Sequence, residues 1–317
     1  YTTPNSSLLK QWVKDIKLIQ PDQLLLCYWG GTPEFFNIKT KKYQRIIPKN
    51  YDKQKWLDFT YDFFIADMSK FNNNEIYFAN WSGGGVLDKY DISKNIYSLA
   101  FYSQKDTTPL QDQLRLSSAI LKTEKSIFSG SSVGTGLFEI KQSEHGQLFY
   151  SDEHRSPTKE ELTLSIKKED KVVNDSSKIS QVNYIYNDNQ DRIWICTPNG
   201  LFFRTVDDGQ IVRIKCLDSC GLNNVVSVIQ SPKIKSQYLI GTSKGLVSYD
   251  IDKDKVLEIF TKEDGLSSNS LSVKALQFSD SHQLAIGTNK GVNLIHFDSI
   301  YDTDITAAPF ILSLIHI

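Results

Sequence analysis

Histidines and paired carboxylates are the residues of this chain best suited to acid–base or metal chemistry, and their spacing supports neither. The acidic pairs Glu160–Glu161 and Asp207–Asp208 fall in polar turns, where carboxylates cap backbone amides and stay hydrated. The chain has no GxSxG elbow, no phosphate-binding glycine loop and no HExxH pair. We therefore predict no catalytic residue, no metal site and no cofactor. The five histidines are scattered without paired ligand spacing: His145, His154, His282, His296 and His316.

The four cysteines are too few for a disulfide scaffold in a chain of 317 residues, and none forms a CxxC pair. Cys216 and Cys220 are close enough in sequence to close a small loop within a turn. Two unbonded thiols explain the same spacing equally well, so both states stay open.

Sugar binding is a second kind of chemistry that this composition allows. It needs aromatic rings for the C–H faces of a sugar and planar amide or guanidinium groups for its hydroxyls. Trp29 and Trp81 have a rival role in packing between sheets, while Asn223 and Asn269 have a rival role in ending turns. The predicted ligand-binding residues are Trp29, Trp81, Ser82, Arg115, Thr197, Asn199, Asn223, Asn224, Ser268 and Asn269.

These residues belong to a repeated unit. The stretch "LIGTSKGLVSYDID" recurs as "AIGTNKGVNLIHFD", and "RIWICTPNGLFFRTVDD" is a third copy with a period of about 45 residues. Looser copies occur at Ser126–Ile140, Glu75–Ile92 and Gln23–Ile38. Six units can be counted.

Each unit has the pattern of a four-stranded antiparallel meander. An alternating stretch precedes each motif, and a glycine follows the second strand at Gly200, Gly245 and Gly291, where a positive φ is expected. Such a sheet has two apolar faces, which it buries by packing against neighbours around a ring. We predict an all-β fold, a β-propeller of four-stranded antiparallel blades, over residues 1–304. The turn after strand two and the connection to the next blade then share one face, which carries the predicted ligand-binding residues.

The sequence allows two ways of completing the ring of blades. The segment Ser7–Val13 can supply the missing outer strand of the sixth unit. Alternatively, a seventh blade is built from the N-terminal segment and the insert Asp152–Lys178.

Charge and hydropathy exclude some partners. The chain has 36 basic and 37 acidic residues, a net charge of -1, so no global field attracts nucleic acid. No stretch reaches the roughly 18 consecutive apolar residues of a membrane span. We therefore predict no nucleic-acid partner, and contact with a membrane only through downstream segments.

The motifs "NQDRIWICTPNGLFFR", "YLIGTSKGLVSYD" and "KEDGLSSNSLSVKAL" resemble the propeller repeats of two-component regulators, the hybrid sensor histidine kinases of Bacteroidetes. In that family an immunoglobulin-like domain with three tyrosines follows the propeller, and a membrane helix and a kinase come next. Residues 305–317, which include "AAPFILSLIHI", resemble the first strand of that domain or a linker strand.

The resemblance implies a periplasmic sensor domain that is not itself an enzyme, although the full-length protein is a histidine kinase. It implies a small-molecule or oligosaccharide ligand derived from complex carbohydrates, and a homodimer in the full-length receptor. Two other functions stay open: a propeller hydrolase or lyase acting on polysaccharide, and an interaction scaffold of the WD or kelch kind. The double glycines Gly30–Gly31 and Gly83–Gly85 hint at kelch.

Overall fold

The computed structural model consists almost entirely of short antiparallel strands. It describes residues 13–50, 65–80, 86–102, 117–124, 126–131, 136–141, 165–168, 179–188, 190–205, 211–278, 283–296 and 311–315. The chain divides into two compact units, Tyr1–Lys171 and Val172–Ile317. No helix in the described ranges is long and apolar enough to cross a bilayer.

The first unit contains three four-stranded sheets. The first sheet consists of β1 (Val13–Gln20), β2 (Gln23–Tyr28), β3 (Gly31–Asn37) and β4 (Tyr43–Arg45). The second consists of β5 (Ile65–Lys70), β6 (Glu75–Asn80), β7 (Val86–Asp91) and β8 (Ile96–Tyr102). The third consists of β9 (Ser117–Lys122), β10 (Ser126–Ser131), β11 (Leu137–Lys141) and β12 (Ser165–Lys168).

The second unit repeats this arrangement. Its first sheet consists of β13 (Tyr184–Asn187), β14 (Arg192–Thr197), β15 (Gly200–Thr205) and β16 (Ile211–Arg213). The next consists of β17 (Val225–Gln230), β18 (Gln237–Thr242), β19 (Gly245–Asp250) and β20 (Lys255–Phe260). The last consists of β21 (Leu271–Phe278), β22 (Gln283–Thr288), β23 (Gly291–His296) and β24 (Ile311–Ile315).

The all-β class and the four-stranded antiparallel meander are therefore confirmed, and the meander is the blade of a β-propeller. The structure describes six such sheets. The number of blades that close a ring, six or seven, stays a prediction.

Two outer strands differ from the predictions. β24 pairs with β23 and takes the outer position of the last sheet that one of the two alternatives assigned to Ser7–Val13; residues 7–12 lie outside the described residues. β12 pairs with β11 as the outer strand of the third sheet. The described part of the insert Asp152–Lys178 thus completes an existing sheet instead of starting a seventh one. The boundary predicted near residue 305 stays a prediction.

The connection after β16 contains a short helix. β16 ends at Arg213, and a single helical turn, α1 (Lys215–Ser219), follows. The turn forms because it buries Leu217 completely. A 3₁₀ turn, Lys262–Asp264, occupies the corresponding place in the next connection.

Neighbouring sheets within each unit contact each other through their first strands. Within the first unit β5 contacts both β1 and β9, and within the second β17 contacts both β13 and β21. Buried carboxylates reinforce the first unit: Asp15 accepts a bond from the Met68 amide at 3.1 Å, and Asp67 one from the Ile120 amide at 2.7 Å. Each carboxylate thus ties one sheet to the backbone of the next.

The second unit buries its apolar side chains between adjacent sheets. Trp194 is completely buried, and its ring centroid lies 4.4 Å from that of Tyr238 on the next sheet. Gly241 marks another close approach, because a Cβ there would meet the side chains of Ser227 and Leu271. A small residue at this position is therefore required by packing.

Candidate functional site

In the second unit the turns after each second strand and the connections between sheets share one edge. The Ser243 amide donates to the Asn224 carbonyl at 3.2 Å, and the Asn289 amide donates to the Ser270 carbonyl at 3.2 Å. Each bond joins a turn to a connection. We call this edge the turn–connector face; it comprises the turns 197–200, 242–245 and 288–291 and the connections 214–224 and 261–270. The predicted common face is therefore present within this unit.

A threonine builds each of the three turns. The Thr197 hydroxyl donates to the Gly200 carbonyl at 2.8 Å and accepts from the Asn199 amide at 3.1 Å. Thr242 and Thr288 make the same pair of bonds within their own turns. Thr197 is only 2% exposed, so we assign it to the turn, and the exposed neighbour Asn199 takes the place on the surface that was predicted for it.

The asparagines of the first connection are exposed on this face. Asn223 and Asn224 lie between α1 and β17, directly before the strand. The Asn224 side-chain oxygen accepts from the Asn183 side-chain amide at 3.4 Å, and its carbonyl accepts from the next turn. Backbone bonds thus hold this stretch while its amide groups remain at the surface. Such groups can bond sugar hydroxyls as donors and as acceptors.

The second connection presents Ser268 and Asn269. Asn269 is exposed, and its side-chain oxygen accepts from the Lys262 amide. The Ser268 hydroxyl accepts from the Ser270 amide at 3.2 Å. Both residues therefore shape the connection, as the turn-ending alternative for Asn269 predicted, and both stay at the surface.

Two features of this face were missed by the sequence analysis. The first is an ion pair: Arg213 Nε lies 2.8 Å from the Asp218 carboxylate, while its Nη2 donates to the Asn199 carbonyl at 2.9 Å. This arginine joins β16, α1 and the neighbouring turn. The spacing of five residues between Arg213 and Asp218 becomes meaningful only once the helical turn folds back on the strand.

The second missed feature is a polar network in the last sheet. Ser267 bonds both to Thr288 and to Asn293, a completely buried residue of β23. The sequence held a signal, because aligning the repeats by their glycines places Asn293 opposite Val247 and Phe202. Both of those residues are apolar and buried.

The first unit contributes less to the described surface. Trp29 lies between β2 and β3, as predicted, and is half-buried, with Lys14 Nζ 5.0 Å from its ring centroid. Because Lys14 lies over the Trp29 ring, this position is consistent with a packing role for Trp29 as well as with ligand contact. Trp81, Ser82 and Arg115 lie outside the described residues. Their predicted roles stay predictions.

The titratable side chains at the turn–connector face include the Arg213–Asp218 ion pair and two cysteines, Cys216 and Cys220. Among the described residues no group of three or more His, Cys, Asp or Glu side chains could hold a metal ion. Cys216 and Cys220 are both free thiols, which answers the question their spacing left open. Burial, with the nearby Asp254, raises the pKa of Cys216 to about 12, so this thiol stays protonated at neutral pH.

Comparison with known proteins identifies the fold of this chain from solved structures. No family model and no curated protein matches the sequence. The solved structures do match, and they share the β-propeller fold of small antiparallel sheets.

Two of the similar structures come from B. thetaiotaomicron. The extracellular domain of BT3049, named as a hybrid two component system, aligns over 95% of this chain with a TM-score of 0.67 and 14% identity. The corresponding domain of BT4673 aligns over 94% with a TM-score of 0.56 and 16% identity. PorZ, a surface component of the type-IX secretion system of Porphyromonas gingivalis, aligns over 87% with a TM-score of 0.60 and 16% identity. This chain spans 36%, 34% and 38% of their respective lengths.

Proposed function

We propose that this chain is the extracytoplasmic ligand-sensing propeller of a membrane-bound two-component regulator. The observation that carries the proposal is the alignment of nearly the whole chain with two extracellular domains of hybrid two component systems. Because one fold hosts many functions, the likeness supports a role only together with a surface suited to it. The turn–connector face offers such a surface.

The proposed ligand is a small molecule or oligosaccharide released from complex carbohydrate. The exposed amides of Asn199, Asn224 and Asn269 lie along one edge of the second unit, and each offers donors and an acceptor. Binding is proposed to shift the geometry of a receptor dimer without chemical turnover, which requires only different affinities for two states.

The proposed location is periplasmic. The two regulator domains are described as extracellular, and PorZ as a bacterial surface component. Protease added to intact cells and to spheroplasts of a strain making the full-length protein tests this location. Cleavage only after the outer membrane is opened is the expected result, and protection in spheroplasts would contradict it.

Calorimetric titration with a panel of neutral oligosaccharides tests the sensing role. We expect binding by the unaltered chain and a loss of about tenfold or more in affinity, roughly 1.4 kcal/mol, for Asn199→Ala or Asn224→Ala. Asn187→Ala is the matched control, because Asn187 is exposed at the end of β13, away from the turn–connector face. Equal affinities for all three variants would contradict the placement of the site.

The enzymatic alternative has a separate readout. Incubating the chain with polysaccharides and separating the products by chromatography shows whether glycosidic bonds are broken. We expect binding without product release; new reducing ends or unsaturated sugars would favour a hydrolase or lyase.

A further inference from the structure

The polar network of the last sheet links the surface to a buried amide. The Ser267 hydroxyl lies 2.7 Å from the Thr288 hydroxyl and 2.8 Å from Asn293 Oδ1, and the Ser267 amide donates to the same Oδ1 at 3.1 Å. Ser267 is half-buried, whereas Thr288 is 8% exposed and Asn293 0%. The network therefore begins in the second connection and ends inside the sheet.

The hydroxyl groups of this network have fewer protons than contacts. Ser267 with Asn293, Ser267 with Thr288, and Thr288 with the Gly291 carbonyl are three oxygen–oxygen contacts, each of which needs a proton. Each hydroxyl carries a single proton, and a carbonyl or amide oxygen carries none. One contact is thus left with two lone pairs facing each other, while the Ser267 oxygen keeps a further lone pair that can accept from a donor outside the network.

The amide group of Asn293 has the opposite imbalance. Since the Ser267 backbone N–H faces one side of the carboxamide, that side must be the oxygen, and the orientation of Nδ2 is settled. Nδ2 has no hydrogen-bond partner within the described part of the chain. A buried donor without an acceptor costs about 1 to 3 kcal/mol.

The other sheets of the second unit avoid this arrangement. Val247 and Phe202 occupy the position of Asn293, and both are almost completely buried. At the position of Ser267, counted from the preceding Gly–Leu pair, the earlier connection has the exposed Asn223. The last sheet therefore departs from its own repeat by placing an imperfectly satisfied polar group in the core, and such departures concentrate where function overrides stability.

We infer that Ser267, Thr288 and Asn293 form a subsite for one hydroxyl group of a neutral polyol or sugar. A hydroxyl oxygen accepts from Asn293 Nδ2, and its proton bonds to the remaining lone pair of the Ser267 hydroxyl, so one group gives both atoms a partner. Ser267 is the end of the network nearest the turn–connector face, where it adjoins the half-buried Ser268 and the exposed Asn269. This inference rests on the ligand-binding role proposed above.

The subsite discriminates between chemical classes. A carboxylate offers acceptors only, so it cannot donate to the remaining lone pair of the Ser267 hydroxyl. An ammonium offers donors only and leaves Asn293 Nδ2 without a partner. Neutral hydroxylic ligands are therefore preferred over acids and amines of similar size.

The experiment titrates the chain with glucose, galactose and their neutral disaccharides, with gluconate and glucosamine as the acidic and basic probes. We expect binding of a neutral sugar, at least tenfold weaker binding of both charged probes, and at least a tenfold loss of affinity in Ser267→Ala and Asn293→Val. The second substitution installs the residue of the preceding sheet. Thr242→Val is the control, because it removes the corresponding turn hydroxyl of the preceding sheet and leaves the network intact.

Each outcome separates this inference from the general proposal. Sugar binding that is unchanged in both Ser267→Ala and Asn293→Val overturns the subsite and leaves the sensing role standing. Preference for gluconate or glucosamine over the neutral sugar also overturns it. If none of the probes binds the unaltered chain, the subsite and the sensing of these sugars fail together. Ser267→Ala keeps the test decisive should Asn293→Val fold poorly, since Ser267 lies at the surface end of the network.

Discussion

At the scale of single residues, Asp188 shows how a carboxylate can serve structure instead of chemistry. The side chain is 4% exposed and lies after β13. It accepts bonds from the Tyr238 hydroxyl at 2.6 Å, the Trp194 indole at 2.9 Å and Arg192 Nε at 2.9 Å. Burial alone would raise the pKa of Asp188, but the bonds from Tyr238, Trp194 and the nearby amides outweigh it and lower this pKa below its usual value.

We expect Asp188→Asn to destabilise the fold in a pH-dependent way. Removing one charge of a buried pair costs about 3 to 5 kcal/mol at neutral pH. Because the folded-state pKa is lowered, this stabilisation is present above the unfolded pKa of about 3.9 and is lost as the pH falls through the folded value. Urea denaturation at pH 7, 5 and 3 measures the difference, which should be constant from 7 to 5 and smaller at 3. Asp191→Asn, in the same turn but exposed, is the control; a difference as large at pH 3 as at pH 7 would refute the assignment.

At the scale of elements, the turn glycines combine backbone conformation with close packing. Gly200 and Gly245 have φ of 144° and 145°, values that side chains rarely adopt. Their surroundings differ: a Cβ at Gly245 would lie 2.5 Å from the Phe260 carbonyl oxygen, whereas one at Gly200 would lie 3.4 Å from the end of the Arg213 side chain. A backbone carbonyl cannot move aside, but an arginine side chain can.

Gly245→Ala is therefore expected to cost more stability than Gly200→Ala. Both substitutions carry backbone strain of roughly 1 to 3 kcal/mol, and only the first adds a backbone clash. Urea denaturation of the two variants gives both free energies of unfolding. Equal losses in the free energy of unfolding would mean that the positive φ alone, and not the nearby carbonyl, requires glycine at these two positions.

The outer strand of the last sheet provides a second test at this scale. β24 pairs with β23 through Val292 with Ile315 and Leu294 with Ser313. Deleting residues 305–317 should leave this edge of β23 unpaired and speed amide hydrogen exchange in the peptide 291–296, measured by mass spectrometry. Removing only residues 316–317, beyond β24, is the control. Unchanged exchange after the longer deletion would favour the view that residues 305–317 begin a separate domain or linker.

At the scale of the whole molecule, the charge balance bears on the partner. With 36 basic and 37 acidic residues the chain has no excess of either sign to attract a charged polymer. We expect the Kd for a neutral oligosaccharide to change less than about twofold between low and high salt, where screening lengths fall from roughly 30 Å to 3 Å. Titration calorimetry at about 0.01 M and about 1 M sodium chloride measures this change in Kd. A steep loss of affinity with salt would point to a charged ligand.

Much of the fold follows from local rules that a sequence displays. The glycine after each second strand, the alternating apolar residues and the period of about 45 residues predicted four-stranded meanders, because each feature depends on contacts within one hairpin. For the candidate site, the shared edge of turns and connections was predictable, since it depends only on the order of strands in a meander.

The tertiary structure decided what depends on contacts between distant segments. Whether Ser7–Val13 or Ile311–Ile315 pairs with β23 is not encoded in local alternation, because both segments are apolar enough to form a strand. Thr197 and Asn199 look alike as polar turn residues, and only the folded turn buries one hydroxyl and exposes the other amide. The role of Asn293 emerged in the same way, since a polar residue in a strand acquires its meaning from the connection that packs over it. Local spacing determines which elements form, whereas their partners are set by burial and hydrogen bonds that exist only after the sheets pack.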